Sequence, residues 1–372
     1  MKVSFLLENI NKKLPLVNHA VSNRNQLPVL LNFLLSAKKG RFFISATDLD
    51  IGISVDIPSK IDEEGQTTVP AKTFFDLLGN LTSGKATVYT KDKTLVFETE
   101  KTKTIFPTIE ALEFPKLYEE KGEKKAVIKK EAIEKDLQKV VFAASQDSGR
   151  PALSGVLFKR EEKNKNVLFV ATDGYRLSLK KQNVDGKNEA KKENFSILIP
   201  GRLIKEAISL KNNADVEFYI SDRNNQVIFF QEETVLVGRL IGAEFPDYEK
   251  IIPNDFSTRV SFEKEELRKA VKTCSVFARE TANIVKLSFA RNKIIVSANT
   301  PSVGESTVEV LAKTEGEENE IAFNARYLLE LFSNIDEEAM VFEMAGPLNP
   351  GVFKITGDDS FLHLIMPIRV QG

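Results

Sequence analysis

The chain has few of the residues on which most enzymes and secreted proteins depend. Its 372 residues include one cysteine, two histidines and no tryptophan. A single cysteine, Cys274, cannot form an intramolecular disulfide, so nothing indicates an oxidising compartment and a cytoplasmic location fits best. The 52 Lys and Arg residues nearly balance the 53 Asp and Glu residues. Any contact with nucleic acid must therefore come from local segregation of charge.

Long apolar runs are also missing. The longest, residues 27–35, contains Pro28 and Asn32 and falls well short of the roughly 18 residues that span a bilayer. Glu8 and Asn9 interrupt the first apolar stretch before a signal-peptide core could form. We therefore expect neither a secretion signal nor a membrane span. With 42% hydrophobic and 28% charged residues, the composition is that of a globular protein, and the length predicts two or three domains.

Similar segments recur about 125 residues apart, a period too long for a solenoid and typical of whole repeated domains. The first segment includes Ala46, the second Ala171 and the third, fainter copy Ala298. A second recurring segment has a β-type residue immediately before a helix start. A third recurring segment is the triplet Glu-Phe-Pro. The first segment occurs as ISATDLDI (44–51), FVATDGYR (169–176) and VSANT (296–300). The second occurs as VPAKTFFDLL (69–78), IPGRLIKEAI (199–208) and AFNARYLLELF (322–332). The triplet EFP occurs at 113–115 and 244–246.

Hydrophobic periodicity gives each copy the same internal plan. In the first copy it predicts a strand at residues 2–7, a helix at 8–21 and three strands up to residue 56. The same order returns from residue 67, with a helix at 71–78, and the later helices are expected at 130–144, 202–210, 263–278 and 325–332. This predicts an α+β fold of three tandem domains, each with two strand-helix-three-strand halves, at residues 1–120, 126–253 and 257–372. The Lys- and Asn-rich residues 185–193 are expected to form a solvated connection.

No group of residues suits catalysis. His19 lies in an expected helix and His363 in an alternating strand, so both are expected to be structural. Cys274 lies among apolar helix positions and is expected to be a small core residue rather than a nucleophile. No Cys/His spacing suits zinc, and the sequence has no Gly-rich phosphate loop. We expect no cofactor, no metal and no catalytic residue.

Asp48 and Asp50 are the strongest argument for an enzyme. Two acidic residues one position apart could hold magnesium for phosphoryl transfer. However, Asp50 is replaced by Tyr175 in the second copy, whereas Asp48 is retained as Asp173. The retained Asp is better interpreted as a turn residue that bonds to the local backbone.

Four motifs together resemble one family. They are VATDGYRL (170–177), TVPA (68–71), FPDY (245–248) and MPIR (366–369), and they resemble the bacterial DNA polymerase III beta subunit family of replication sliding clamps along nearly the whole chain. The resemblance implies a non-enzymatic processivity factor, a head-to-tail homodimer whose helices line a ring and whose sheets lie outside. It places Phe106 of the first domain against Val276 and Phe277 of the third domain at the dimer interface.

The resemblance also implies sites for sequence-independent contact with duplex DNA. The matching positions are Arg24, Lys72, Gln146, Arg150 and Arg202. Cations of this kind would contact phosphates without reading bases, which permits sliding. Pro151 and Ala152 stand where relatives often carry aromatic residues, so the contribution of that loop is open.

Finally, the resemblance implies a cleft that binds short peptides of partner proteins. The expected partners are the replicative polymerase and the clamp loader, with translesion polymerases, ligase and mismatch-repair proteins, in the cytoplasm at the nucleoid. An apolar groove with a flexible Met suits such a peptide. A scaffold that binds proteins without encircling DNA is the remaining alternative. The matching cleft positions are Leu153, Thr172, Gly174, Tyr175, Arg176, Leu177, Pro246, Ile251, Leu364, Met366, Pro367, Ile368 and Arg369, and residues 370–372 extend beyond the usual end.

Overall fold

The computed structural model describes all residues except 23–26, 82, 148, 161–165, 184–193, 211–213, 281 and 370–372. The expected solvated connection at 185–193 lies outside the described residues. The chain divides into two compact units, one of residues 1–131 and 209–240 and the other of residues 132–208 and 241–372. No helix in the described part of the chain is long and apolar enough to cross a membrane.

The order strand, helix, three strands occurs six times along the chain, which confirms the predicted plan. One strand was not predicted: β5 follows β4 after Pro58 and pairs with β1. The elements of the first domain are β1 Lys2–Leu6, α1 Leu7–Asn18, β2 Asn32–Lys38, β3 Arg41–Thr47, β4 Ile51–Ile57, β5 Ser59–Glu63, β6 Gly65–Pro70, α2 Ala71–Gly79, β7 Lys85–Lys91, β8 Thr94–Glu98 and β9 Lys103–Pro107.

The second domain departs from prediction in its first helix. Instead of one helix at 130–144, two short helical segments flank a π-helical turn at Ile133–Leu137. The elements are β10 Glu123–Ile128, α3 Lys130–Ala132, α4 Gln138–Val141, β11 Gly155–Arg160, β12 Asn166–Thr172, β13 Arg176–Asn183, β14 Phe195–Pro200, α5 Gly201–Ser209, β15 Val216–Ser221, β16 Gln226–Gln231 and β17 Thr234–Arg239.

The third domain has the longest helix and the longest strand. Its strand β21 runs unbroken where the first domain has the separate strands β4 and β5. The elements are β18 Thr258–Glu263, α6 Lys264–Ala278, β19 Ile284–Ala290, β20 Lys293–Thr300, β21 Gly304–Gly316, β22 Asn319–Asn324, α7 Ala325–Ser333, β23 Ala339–Met344, β24 Gly351–Ile355 and β25 Asp358–Ile365.

Antiparallel strand pairs join neighbouring domains into shared sheets. In the first unit, β17 pairs with β4 within an eight-stranded sheet, and in the second unit β13 pairs with β25 within a twelve-stranded sheet. We call the β4–β17 pair the first seam and the β13–β25 pair the second seam. The second domain thus contributes strands to both units. The predicted domain limits remain predictions, because the compact units follow the shared sheets rather than the repeats.

A buried lysine supports the second seam. The Lys180 ammonium on β13 donates to Asp358 Oδ2 at 2.7 Å and to Ser360 Oγ at 2.5 Å, and it lies 3.8 Å from Asp136 Oδ1 of the π-helical turn. Burial raises the pKa of Asp358, but the hydrogen bonds from Lys180 and Ser360 outweigh burial and lower this pKa to about 2. The ionised carboxylate therefore favours the folded state.

We expect Asp358→Asn to lower the unfolding free energy at pH 7 by about 1–2 kcal/mol. The folded-state pKa lies below the ordinary value of 3.8. The stabilisation of the folded state by the ionised Asp358 carboxylate is therefore complete above pH 3.8 and is lost as the pH falls through about 2. Urea unfolding should show a deficit that narrows below pH 4. The exposed neighbour Asp359 is the control, since Asp359→Asn should be neutral. A deficit that is independent of pH would contradict this account.

Candidate functional site

Two segments far apart in sequence meet where the second seam ends. Arg176 pairs with Ile365 and Leu177 with Leu364 across the two strands. One step further, the Met366 amide donates to the Tyr175 carbonyl at 2.8 Å. The second-domain motif and the C-terminal motif therefore lie side by side, as the resemblance implied.

The turn before β13 is held by its own side chains. Thr172 Oγ1 donates to the Arg176 carbonyl at 2.6 Å and accepts from the Gly174 amide at 3.1 Å. Asp173 Oδ1 accepts from the Tyr175 and Arg176 amides at 2.9 and 3.0 Å. Gly174 has φ +91°, which glycine adopts at little cost. This turn directs the Tyr175 side chain outward, where 57% of it is exposed.

The same turn occurs in the first domain and settles the role of Asp48. Its Oδ1 accepts from the amides of Asp50 and Ile51 at 3.1 and 2.9 Å. The interpretation of Asp48 as a turn residue is confirmed. Among the described residues, no group of three or more His, Cys, Asp or Glu side chains could hold a metal ion.

An apolar floor lies beneath the end of the second seam. Leu177 and Leu364 are fully buried in one cluster with Leu157, Val170 and Tyr248. At the end of the seam the apolar side chains of Tyr175 and Met366 stay exposed, Met366 at 38%. Ile251, which is 40% exposed, precedes Ile252, and Ile252 packs against the same cluster. Exposed apolar side chains around a buried apolar floor are typical of a peptide-binding groove.

The role of the remaining predicted cleft residues stays a prediction. Leu153 is half-buried, and a Cβ on Gly174 would lie 3.9 Å from its Cδ1. Pro246 is exposed and follows Phe245, which packs on the apolar floor. Ile368 is half-buried, like Pro367, and donates its amide to the Ala322 carbonyl at 2.8 Å. Arg369 is exposed, and the extension 370–372 lies outside the described residues.

Arg176 is a support of the turn rather than an exposed contact. It is 6% exposed, its Nη2 lies 2.6 Å from Glu330 Oε2, and its Nε donates to Asp173 at 3.1 Å. Its guanidinium lies 4.7 Å from the ring centre of Tyr327, and Tyr327 stacks on Tyr175 at 6.5 Å. Sequence reasoning missed Glu330 and Tyr327, because no local pattern links helix α7 to this turn.

The predictions that His363 and Cys274 are structural residues can be checked. His363 is fully buried and shares a 2.5 Å hydrogen bond with Ser178 across the second seam, and burial lowers its pKa well below the ordinary value. Its structural role is confirmed. Cys274 is fully buried beside the Val296 carbonyl, and burial raises the pKa of its thiol. Its role as a core residue is also confirmed. His19 lies just after helix α1.

Most of the predicted DNA-binding residues are exposed. Lys72 lies on helix α2 and Arg202 on helix α5. Gln146 and Arg150 lie in the loop before β11, where Arg150 Nε donates to Asp147 at 3.2 Å. Arg24 lies outside the described residues. Their contact with DNA stays a prediction.

The expected interface residue Phe106 is almost fully buried within its own chain, and its contact with a second chain stays a prediction. Only 3% of it is exposed, because its ring packs edge-on against Phe74 in the first-domain core. Its neighbour Ile105 on the same edge strand is 60% exposed and is the better candidate for a contact with a second chain. In the third domain, Val276 is 51% exposed, and Phe277 is half-buried against the core.

Family models match nearly the whole chain in three consecutive blocks. The N-terminal, central and C-terminal domains of the DNA polymerase III beta subunit match residues 1–118, 127–247 and 249–369. Proteins named beta sliding clamp match as well. The protein of Staphylococcus epidermidis is 25% identical over 99% of this chain and 98% of its own length, and that of Staphylococcus aureus is 26% identical over 94% of both chains.

Solved structures give the same result. The DNA polymerase sliding clamp of Bacillus subtilis superposes with a TM-score of 0.92 at 25% identity, and both chains are covered completely. The DNA polymerase III beta subunit of Thermotoga maritima gives 0.89 at 25% identity, again over both complete chains. The three family models together match nearly the whole chain, including both seams and the exposed apolar surface beside Tyr175 and Met366. The chain therefore belongs to the DNA polymerase III beta subunit family, the bacterial sliding clamps.

Proposed function

We propose that two copies of this chain close head to tail into a ring around duplex DNA, and that the surface at the end of the second seam binds short peptides of partner proteins. Family membership makes the chain a DNA sliding clamp, an accessory factor of DNA replication without catalytic activity of its own. The finer proposal concerns the homodimer, the peptide site and the partners.

The cleft is supported by one observation above all. Tyr175 and Met366 remain 57% and 38% exposed at the end of the seam, next to the fully buried Leu177 and Leu364, and Ile251 is 40% exposed beside Ile252 of the same cluster. Apolar side chains of a peptide could bury surface here at about 25 cal/mol per Å², and the flexible Met366 can adapt its shape to them. We propose that this cleft binds peptide segments of the replicative polymerase and the clamp loader, and also of translesion polymerases, ligase and mismatch-repair proteins at the nucleoid.

Two free strand edges support the homodimer. In the described part of the chain, the last strand of the second domain pairs with β4 and the last strand of the third pairs with β13. The last strand of the first domain, β9, pairs on one side only, and residues 305–311 of β21 have only β20 beside them. Unpaired edges invite pairing with another chain. Pairing β9 of one copy with β21 of the other would repeat the seam a third time.

Exposed apolar residues mark both free edges. Ile105 on β9 is 60% exposed and Leu311 on β21 is 87% exposed. Val276 and Phe277 lie on helix α6, which packs against β21. An interface that joins different surfaces of two copies closes into a ring when the rotation between them is twofold.

Duplex DNA would occupy the ring without sequence readout. Lys72, Gln146, Arg150 and Arg202 are exposed polar residues on or near helices, and Arg24 belongs to the same predicted set. Such contacts position a duplex through its phosphates. Retention on DNA would follow from closure of the ring and would not require tight binding.

We expect Met366→Ala to weaken binding of a fluorescent peptide that carries Gln followed by Leu and Phe. The loss should be at least about fivefold, or about 1 kcal/mol, because the peptide loses an apolar contact. Fluorescence anisotropy measures the affinity. Leu112→Ala is the control, since Leu112 is 95% exposed in the first domain. Equal affinities of both variants would remove the cleft from this surface.

We expect Ile105→Lys combined with Leu311→Lys to dissociate the dimer. The substitutions would place like charges at the proposed third seam, where apolar side chains should become buried. Native mass spectrometry should then find the 41.7 kDa chain rather than twice that mass. Leu112→Lys adds the same charge elsewhere and should leave the dimer intact. A dimer that survives the double substitution would refute the proposed pairing.

Topological retention predicts a difference between closed and open DNA. Loaded rings should remain on intact circular duplex and leave after the circle is cut, and salt should have little effect on retention on the circle, in contrast to ordinary phosphate binding. Gel filtration of labelled protein with nicked circles and linearised DNA measures this. Equally fast loss from both would contradict encirclement and would favour the scaffold alternative.

A further inference from the structure

The first seam repeats the backbone geometry of the second. In the second seam the Met366 amide donates to the Tyr175 carbonyl at 2.8 Å; in the first, the Arg239 amide donates to the Asp50 carbonyl at 3.0 Å. Arg239 therefore corresponds to Met366, and Asp50 corresponds to Tyr175. The chain forms the same backbone frame twice.

The turns that precede the two seams match atom by atom. Thr47 Oγ1 donates to the Ile51 carbonyl at 2.8 Å and accepts from the Leu49 amide at 3.0 Å, as Thr172 does with Arg176 and Gly174. Leu49 has φ +77° where Gly174 has φ +91°. A leucine in this conformation is uncommon.

The side chains at these matched positions differ in kind. The second seam exposes Tyr175 and Met366, whereas the first exposes Asp50 and Arg239. Gly174 has no side chain, and a Cβ there would lie 3.7 Å from Arg150 Nη1 and 3.9 Å from Leu153 Cδ1, whereas Leu49 adds a side chain that is 53% exposed. An apolar peptide would have to strip water from the two charged groups and displace Leu49. Desolvating a charge costs more than burying one apolar side chain gains.

In both seams a residue that follows the Glu-Phe-Pro triplet packs against the floor, Leu117 in the first and Tyr248 in the second. Gly52 takes the place of Leu177 opposite Val237, as Leu177 stands opposite Leu364. A Cβ on Gly52 would lie only 2.6 Å from Leu117 Cδ2. The segment after the first Glu-Phe-Pro triplet thus packs against the bare backbone, and the Leu117 carbonyl is fixed by Gln226 Nε2 at 3.0 Å.

From these differences we infer that the first seam is a closed copy of the peptide cleft, and that Leu49, Asp50 and Arg239 restrict peptide binding to one site per chain. The inference rests on the proposed peptide-binding function of the second seam. It identifies the side chains, rather than the backbone, as the determinants of which seam accepts a peptide.

The test exchanges side chains between the seams. Tyr175→Asp with Met366→Arg gives the second seam the side chains of the first. It should fold normally, because the matched backbone already carries Asp and Arg, and its affinity for the labelled Gln/Leu/Phe peptide should fall at least about 30-fold. In that background, Leu49→Gly, Asp50→Tyr and Arg239→Met together should raise the affinity for the peptide at least about tenfold.

Hydrogen exchange locates the recovered site. Added peptide should protect amides at residues 49–52 and 237–239 in the exchanged variant and at 174–177 and 364–366 in the wild type. If the full exchange unfolds, Leu49→Gly with Arg239→Met in the same background is the second variant, and a recovery of about threefold is expected. Glycine suits the positive φ, so this variant should fold.

Each result has a separate meaning. Binding of one peptide by the wild type, its loss in the first variant and its return at the first seam support the inference. Binding of two peptides per wild-type chain, or no return of binding in a folded exchange variant, would overturn the inference while leaving the proposed function intact. A wild-type chain that binds no peptide would overturn both.

Discussion

The hydrogen-bonding demand of strand edges governs this structure. A strand at the edge of a sheet presents amide and carbonyl groups that need partners. The β4 edge of the first domain is satisfied by β17, and the β13 edge of the second domain by β25. The register of the second pair, with Leu177 opposite Leu364, determines that Tyr175 and Met366 emerge together at its end. The proposed cleft would thus be a geometric consequence of how two domains share a sheet.

The second seam contains buried charges: Lys180 is bonded to Asp358, and Arg176 is paired with Asp173 and Glu330. Buried ion pairs add little net stability, because desolvation offsets their attraction, but breaking one pair leaves a charge unpaired. A shift in strand register would break several pairs at once. These charges therefore favour one register and keep the exposed apolar side chains in place above their floor.

Sequence reasoning succeeded where a pattern was local or repeated. Alternating apolar residues located most strands, and the recurrence of Asp48 as Asp173 revealed a turn residue. It failed where distant residues decide the outcome. The packing of Phe106 against Phe74 was not predicted, because the orientation of an edge strand cannot be read from its sequence. Glu330 and Tyr327 lie over 150 residues from the turn that they support, and no local periodicity links them.

In a ring of two chains, the same type of strand pairing would occur both within each chain and between the two chains. Within the chain, covalent connections hold the seam partners at a high effective concentration, and residues after each Glu-Phe-Pro triplet, Leu117 and Tyr248, pack beside the first and second seams. The proposed third seam would have no covalent connection, so its formation must also offset the lost freedom of a second molecule. The same strand pairing therefore gives a weaker interface between two chains than within one chain. The seam between chains is the weakest by this argument, and it is where a ring of this design would open to admit DNA.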